Sequence, residues 1–230
     1  MRLRQLPRVL QKIQLQEIDI GGIHMIAIID YDAGNIKSVE KAIKYLGNEA
    51  VITRDRDVIM SSDKVILPGV GNFGDAMSKI RNYKLDKVIY DVVDSEKPFL
   101  GICLGLQLLY EHSDEAMDTL GLGILKGNII KIPDSPGLKI PHMGWNSLDI
   151  TEGATLFKGI EEEHPYVYFV HSYYLESEEE SDVAATTYYS TKIHASVEHN
   201  NVYACQFHPE KSSDVGLKIL KNFIELEGGC

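Results

Sequence analysis

A cysteine between two glycines is the residue of this sequence best suited to covalent chemistry. Cys103 stands in "GICLG" (101–105), at the end of the apolar run "PFLGI" (98–102). A sharp strand-to-helix turn needs small flanking residues and projects its central side chain at the helix N-terminus. There the helix dipole favours a thiolate, and the Leu104 N–H can donate to an oxyanion. The pattern predicts a nucleophile elbow, although a small buried cysteine in a glycine-rich junction explains these five residues equally well.

A histidine and a glutamate in "QFHPE" (206–210) supply the base that such a thiol needs. Pro209 disfavours helical geometry at His208, and an extended chain points residues i and i+2 to the same side, roughly 6–7 Å apart. Glu210 can then fix the tautomer of His208 and stabilise its charged form, which leaves the other ring nitrogen for Cys103. We therefore predict a Cys-His-Glu triad.

A metal site or a plain surface turn is the alternative interpretation of the His-Pro-Glu stretch. A metal site needs at least a third convergent ligand. His142 and His171 are the inviting candidates, and their spacing does not favour coordination. We expect the triad, with no metal and no cofactor.

Alternating strand and helix signals in the first half predict the scaffold that positions these residues. Strand-like runs lie at 25–30, 50–54, 64–69 and 98–102, and helical patterns at 35–47, 73–81, 84–95 and after Cys103. This alternation predicts a parallel sheet with helices on both faces. The second half is strand-rich and ends in a helix at 212–226, which predicts antiparallel additions. We expect a single three-layer α/β domain with an open, mostly parallel twisted sheet plus antiparallel strands.

The length, charge and cysteine content of the chain limit the classes of function that it can have. The chain has 230 residues, with 44% hydrophobic and 25% charged residues and a formal net charge of −11. This balance argues against a nucleic-acid partner, because no basic surface is available for phosphates. The three cysteines are widely spaced, which favours a reducing cytoplasm. No apolar run approaches the roughly 20 residues of a membrane-spanning helix.

Residues 1–24 differ in character from the rest. They are Arg-rich and precede the first strong strand, yet they lack serine and contain acidic residues, unlike a transit peptide. We interpret 1–24 as an N-terminal extension outside the core, with the domain spanning 25–230.

Together with the elbow and "QFHPE", a series of ordered motifs resembles one enzyme family. These motifs are "DYDAGNIKSV" (30–39), "LPGVGNFGDAM" (67–77), "IPHMGWN" (140–146), "YFVHSYY" (168–174) and "FHPEKSS" (207–213). From residue 25 onward the chain is similar to the class I (triad-type) glutamine amidotransferases, which have a flavodoxin-like fold. Within that class it resembles the glutaminase subunits of imidazole glycerol phosphate synthases.

The resemblance implies hydrolysis of L-glutamine to glutamate and ammonia through a cysteinyl thioester. Cys103 would be the nucleophile, His208 the acid and base, and Glu210 its orienting group. The backbone at Leu104, Val70 and Gly71 would form the oxyanion site, because glycines in "PGVG" (68–71) let a peptide plane turn freely. By the same resemblance, the residues that bind the substrate would be Gly71, Gln107, Ser172 and Tyr173.

A partner subunit also follows from the resemblance. It would be a (β/α)8-barrel cyclase that forms a heterodimer with this chain and receives its ammonia. The reaction would yield imidazole glycerol phosphate and aminoimidazole carboxamide ribotide, in histidine biosynthesis. Trp145 and Lys211 would lie at the interface. We further expect the glutaminase to stay weak until the partner favours the donating orientation of the "PGVG" peptide.

Three other functions are compatible with parts of the sequence. A paralogous glutaminase could supply ammonia to another synthase, for example one making a surface sugar. A Cys-His hydrolase is disfavoured because Glu210 follows His208, whereas the acid of α/β-hydrolases precedes the histidine. A non-catalytic regulatory subunit is disfavoured because Cys103, His208 and Glu210 are all present.

Overall fold

One large sheet organises residues 24–227, the part of the chain that the computed structural model describes. Its strands are β1 (Met25–Ile29), β2 (Glu49–Thr53), β3 (Lys64–Gly69), β4 (Phe99–Cys103), β5 (His112–Ser113), β6 (Gly127–Lys131), β8 (Asp149–Ile150), β10 (Tyr173–Ser177), β11 (Val183–Tyr189), β12 (Thr191–His199) and β13 (Val202–Cys205). A separate two-stranded ribbon is formed by β7 (His142–Ser147) and β9 (Tyr166–His171).

The sheet is parallel in its first part and largely antiparallel in its second. Its order is β2-β1-β3-β4-β13-β12-β10-β6-β5, and β11 pairs with β12 and β8. Neighbours from β2 to β13 run parallel, whereas β12 is antiparallel to β13, β10 and β11. The predicted combination of a parallel sheet with antiparallel additions is confirmed.

Helices cover both faces of the sheet, as the alternation predicted. They are α1 (Ile36–Tyr45), α2 (Arg56–Ser61), α3 (Phe73–Asn82), α4 (Leu85–Asp94), α5 (Leu104–Gln107) and α6 (Ser213–Ile224). Helices α2, α3 and α4 pack on one apolar core, and α1 and α6 pack on the other. Strand β1 contributes side chains to both cores. Ala27 and Ile29 pack in the first core, and Ile26 and Ile28 pack in the second, because successive side chains of a strand point to opposite faces. The domain is therefore a three-layer α/β sandwich.

Two helices differ from the sequence-based expectation. Helix α2 was not predicted, although Asp55 caps it by accepting bonds from the Asp57 and Val58 N–H groups. Helix α5 is only a single turn, because the Leu108 and Leu109 carbonyls accept bonds from the returning chain at Leu122 and Ile124. Any helix-dipole effect on Cys103 is therefore smaller than a long helix would give.

The predicted N-terminal extension falls almost wholly on residues 1–23, which lie outside the described residues, so this boundary stays a prediction. Between residues 24 and 227, no helix combines the length and apolar character needed to cross a membrane.

Candidate active site

Cys103 sits at the tight corner that its flanking glycines predicted. It ends β4 with φ 55° and ψ −110°, a conformation that non-glycine residues rarely adopt. A Cβ atom on Gly105 would lie 1.8 Å from the Leu67 carbonyl oxygen, and one on Gly101 would lie 2.9 Å from the Gly105 carbonyl oxygen. Both glycines are needed because β3, β4 and α5 approach one another closely here.

Strand register brings His208 to the same edge of the sheet as Cys103. β13 runs parallel to β4, and Cys205 pairs with Ile102, so both strands end side by side. The His208 N–H then donates to the Tyr168 carbonyl oxygen over 2.9 Å, which holds the backbone beside β9. The sequence separates the thiol from the imidazole, and parallel strand pairing unites them.

His208 and Glu210 lie in contact, but the backbone geometry predicted for them was partly wrong. His208 is extended (φ −101°, ψ 96°), as Pro209 favours, whereas Pro209–Lys211 form a 3-10 turn rather than a continued strand. His208 Nδ1 lies 2.8 Å from Glu210 Oε1, and both side chains are buried. The 3-10 turn that begins at Pro209 therefore brings Glu210 to His208, which an extended chain was expected to do.

The surroundings of His208 favour its charged form. Burial opposes the charge, but the Cys103 and Glu210 side chains outweigh burial and raise the pKa of His208 to about 9. Within residues 24–227, His208 Nε2 is buried and has no hydrogen-bond partner. With Nδ1 committed to the carboxylate, Nε2 is the ring nitrogen that can exchange a proton with the thiol or with a bound molecule.

Asn35 is a neighbour of Glu210 that sequence reasoning missed. Its Nδ2 donates to Glu210 Oε1 over 2.5 Å, although the two residues are 175 positions apart. Asn35 precedes α1 in a left-handed conformation, with φ 67°, and does not cap the helix with its side chain. Asn35 lies in the quoted motif "DYDAGNIKSV", and this motif was the sequence feature that could have indicated a role for Asn35 at the site. The amide helps to hold the carboxylate in place.

A cavity of about 360 Å³ opens over Cys103. Its lining residues are Val70, Gly71, Cys103, Leu104, Gln107, Glu115, Pro141, Val170, His171, Ser172 and Tyr173. A volume of this order suits a small polar metabolite. Every residue predicted for the oxyanion site or for substrate binding lies on this wall.

The wall is built from elements that are distant in the chain. Gly71 has φ +110°, and open space surrounds the position of an added Cβ, so the peptide plane there has room to turn. Gln107 lies one turn beyond Cys103 on α5. Ser172 separates β9 from β10, which belong to two different sheets. That break turns Ser172 and Tyr173 towards the cavity.

The two residues expected at a partner interface are both on the surface. Trp145 on β7 is 54% exposed, and its ring packs edge-on against Tyr168 of β9, with centroids 6.1 Å apart. Lys211 is exposed at the end of the 3-10 turn that follows His208. Trp145 is therefore not a core residue, and its ring is accessible on the surface.

His142 and His171 form a buried pair that the sequence did not predict. His142 Nδ1 lies 2.9 Å from His171 Nε2, and His171 Nδ1 lies 2.9 Å from the Tyr173 carbonyl oxygen. Burial lowers the pKa of His142 to about 4 and that of His171 to about 3. The antiparallel register of β7 and β9 places the two residues opposite each other.

Comparison with known proteins agrees with this geometry. The family model for "Glutamine amidotransferase class-I" matches residues 27–226, nearly the whole chain. The chain is a class-I glutamine amidotransferase. The amidotransferase resembles the solved structure of PurLQS from Thermotoga maritima, with a TM-score of 0.70 and 20% identity over 88% of this chain and 98% of that one. A solved structure described as a glutamine amidotransferase gives a TM-score of 0.67 at 20% identity, covering 86% of this chain and 98% of that one.

Curated relatives define the subfamily. The imidazole glycerol phosphate synthase subunit HisH of Methanocaldococcus jannaschii is 48% identical, over 88% of this chain and 100% of its own length. The HisH subunit of Caldanaerobacter subterraneus subsp. tengcongensis is 50% identical, over 88% of this chain and 98% of its own. The amidotransferase therefore belongs to the HisH family, and the predicted fold and family are confirmed.

Proposed function

We propose that this amidotransferase is the glutaminase subunit of an imidazole glycerol phosphate synthase, with Cys103, His208 and Glu210 as its triad. The observation that carries the proposal is a strained thiol on the cavity wall, next to a buried, carboxylate-bound imidazole whose pKa that thiol helps to raise. Family membership supplies the substrate, L-glutamine. The geometry supports the role that we propose for each of the three side chains.

The first half of the reaction forms a thioester. The Cys103 sulfur attacks the side-chain carbonyl carbon of glutamine, and the negative charge moves to the carbonyl oxygen. The Leu104 N–H and a peptide N–H at Val70 or Gly71 stabilise that oxyanion. The imidazolium of His208 gives its Nε2 proton to the departing amine, which leaves as ammonia. Cys103 attacks as the thiolate, so the carbon–sulfur bond forms first. The carbon–nitrogen bond then breaks as the oxyanion collapses to the thioester, and atoms and charge balance.

The second half releases glutamate. Neutral His208 takes a proton from water, the resulting hydroxide attacks the thioester carbonyl, and the Cys103 sulfur leaves as a thiolate. Glu210 keeps Nδ1 protonated throughout and stabilises the imidazolium, which is present at the start and re-formed once in each turnover. Asn35 assists by holding the carboxylate. Gln107, Ser172 and Tyr173 bind the amino-acid end of the substrate, together with Gly71.

The partner would be a (β/α)8-barrel cyclase bound as a heterodimer at the face that carries Trp145 and Lys211. Ammonia passes to it and is incorporated as imidazole glycerol phosphate and aminoimidazole carboxamide ribotide are formed. We also propose that the partner favours the donating orientation of the peptide at Val70 and Gly71. A cytoplasmic location is proposed with it, because a thiol nucleophile must remain reduced.

Ammonia release from glutamine, by the chain alone and with the cyclase and its substrate, tests the proposal. We expect the cyclase to stimulate release, and the Cys103→Ala variant to show none under either condition. Ammonia release without stimulation would favour a synthase of another pathway, such as one making a surface sugar. Equal activity with and without the partner would exclude the peptide switch, and activity in Cys103→Ala would exclude the thioester route.

A further inference from the structure

A second amide borders the Cys103 sulfur and has no part in the triad. Gln206 is fully buried, and its Nε2 lies 3.7 Å from Cys103 Sγ, within range of an N–H donor to sulfur. Its Oε1 lies 3.0 Å from Gln107 Nε2. One side chain therefore touches both the nucleophile and a residue of the substrate wall.

A single backbone carbonyl fixes which end of each amide faces which neighbour. Gln107 Nε2 lies 3.0 Å from the Tyr173 carbonyl oxygen, which can only accept, so this end of Gln107 must be the NH2 group. The atom of Gln206 that faces the same NH2 group must then be its oxygen. The NH2 group of Gln206 is left facing the sulfur. The orientation follows from the partners and not from the appearance of the amide itself.

The same arrangement of donors and acceptors determines which end of the Gln107 amide faces the cavity. Both N–H groups of Gln107 are engaged, by Tyr173 and by Gln206, so Oε1 is the end left to a bound molecule. Oε1 can only accept, which matches the ammonium group of an amino acid. The sulfur also has a hydrogen-bond acceptor next to it. Cys103 Sγ lies 3.9 Å from the Val170 carbonyl oxygen, which can accept the thiol proton.

We infer that Gln206 is a positioning residue that donates an N–H to the Cys103 sulfur and holds the Gln107 amide with its oxygen towards the substrate. This inference rests on the proposed function, since it assigns Cys103 as the nucleophile. An N–H donor stabilises the thiolate more than the thiol, because a bond to a charged acceptor is stronger than one to a neutral acceptor. Gln206 thereby links the reactivity of the thiol to the recognition of glutamine.

Two substitutions separate the two contacts of Gln206. Gln206→Glu keeps an oxygen for Gln107 but loses the donor to sulfur, whereas Gln206→Met loses both contacts at similar volume. The matched control is Ser196→Ala, because Ser196 is also fully buried and bonds the Ala204 carbonyl at 2.8 Å in the neighbouring strand, without lining the cavity. The control reports the effect of deleting one buried hydrogen bond nearby.

The rate of Cys103 alkylation by iodoacetamide, followed by mass spectrometry across pH 5–10 on the folded full chain, is the first measurement. We expect the midpoint of the pH profile to rise by about one unit in Gln206→Met, to rise further in Gln206→Glu because its carboxylate also repels the thiolate, and to stay unchanged in Ser196→Ala. Cys205 provides an internal check on folding, since burial raises its pKa and shields it from the reagent.

Steady-state glutaminase kinetics are the second measurement, with the cyclase present. Gln206→Glu should lower kcat about tenfold with little change in KM, and Gln206→Met should also raise KM. A purely structural role predicts profiles and KM values that match the wild type once folding is verified, and that result would overturn the inference. If one variant does not fold, the alkylation profile of the other decides. A wild-type chain without Cys103-dependent activity would instead overturn the proposed function.

Discussion

Two buried histidine sites in adjacent parts of this molecule have opposite protonation preferences. His208 is paired with Glu210 and bordered by Cys103, and its pKa is raised to about 9. His142 and His171 are buried against each other and the Tyr173 carbonyl, and their pKa values fall to about 4 and 3. Burial disfavours the charged imidazole at each site, so the carboxylate and the thiol make the difference.

The contrast has consequences for stability as well as chemistry. The raised pKa of His208 contributes stability that is fully present below the unfolded value near 6.5 and is lost as pH rises through about 9. For His142 and His171 the unfolded chain binds more protons in acid, so their contribution is lost as pH falls from about 6.5 towards 4. One site is built to hold a proton, and the other is built to exclude one.

Removing the carboxylate should make His208 resemble His171. In Glu210→Gln the Nδ1 partner becomes neutral and the imidazolium loses its counter-charge, so kcat for ammonia release should fall roughly 10³–10⁴-fold. Asp182→Asn is the matched control, because Asp182 pairs with the half-exposed His199 over 3.0 Å. A Glu210→Gln variant within tenfold of wild type would show that the carboxylate does not set the behaviour of His208.

Moving the thiol should disturb the first site and spare the second. Gly105→Ala puts a Cβ 1.8 Å from the Leu67 carbonyl oxygen, so the elbow must shift. We expect the free energy of unfolding, measured in urea, to fall by about 3 kcal/mol, and the activity to fall with it. The control Gly74→Ala meets nothing closer than 3.3 Å and should stay within about 1 kcal/mol of wild type. Equal stability of the two variants would contradict the close packing at the elbow.

The histidine pair should be the acid-sensitive site. His142→Gln removes one imidazole that excludes a proton, so the loss of stability between pH 7 and 4 should be smaller by about 2–3 kcal/mol than in wild type. Chemical denaturation at several pH values measures this difference, with His164→Gln as a control, because that histidine is exposed. Identical pH dependence of His142→Gln and wild type would show that the pair is not buried neutral.

A carboxylate partner should contribute little to stability when its histidine is exposed to solvent. His164 Nδ1 and Asp149 Oδ1 lie 3.0 Å apart, close to the distance in the His208–Glu210 pair, but their side chains are 59% and 68% exposed. Asp149→Asn should therefore change the free energy of unfolding by only about 0.5 kcal/mol, since water screens the pair. A change above about 1 kcal/mol in thermal or urea unfolding would mean that burial is not what distinguishes the two pairs.

Sequence reasoning reached the parts of the site that depend on local sterics. Glycines on either side of Cys103 indicated a corner that admits no side chain, and Pro209 indicated an extended backbone at His208. Five ordered motifs indicated the family, and with it the cavity wall at Gly71, Gln107, Ser172 and Tyr173. Hydrophobic periodicity found most helices and strands, because a buried face must repeat with the period of its element.

Sequence reasoning missed the contacts between elements that are distant in the chain. Neither the bond of Asn35 to Glu210 nor the approach of Gln206 to Cys103 can be derived from spacing, since these pairs are 175 and 103 positions apart. The His142–His171 pair depends on the register of β7 and β9. The single turn of α5 depends on where the returning chain pairs.

The sequence by itself determined the layered α/β fold and the family, and it predicted the nucleophile and its base, because these are expressed in residue type and short-range spacing. The tertiary structure alone decided the protonation preference of each buried histidine and the direction of each buried amide. The reason is physical: burial, strand register and the contact of the Gln107 amide with the Tyr173 carbonyl oxygen exist only once distant segments have packed together.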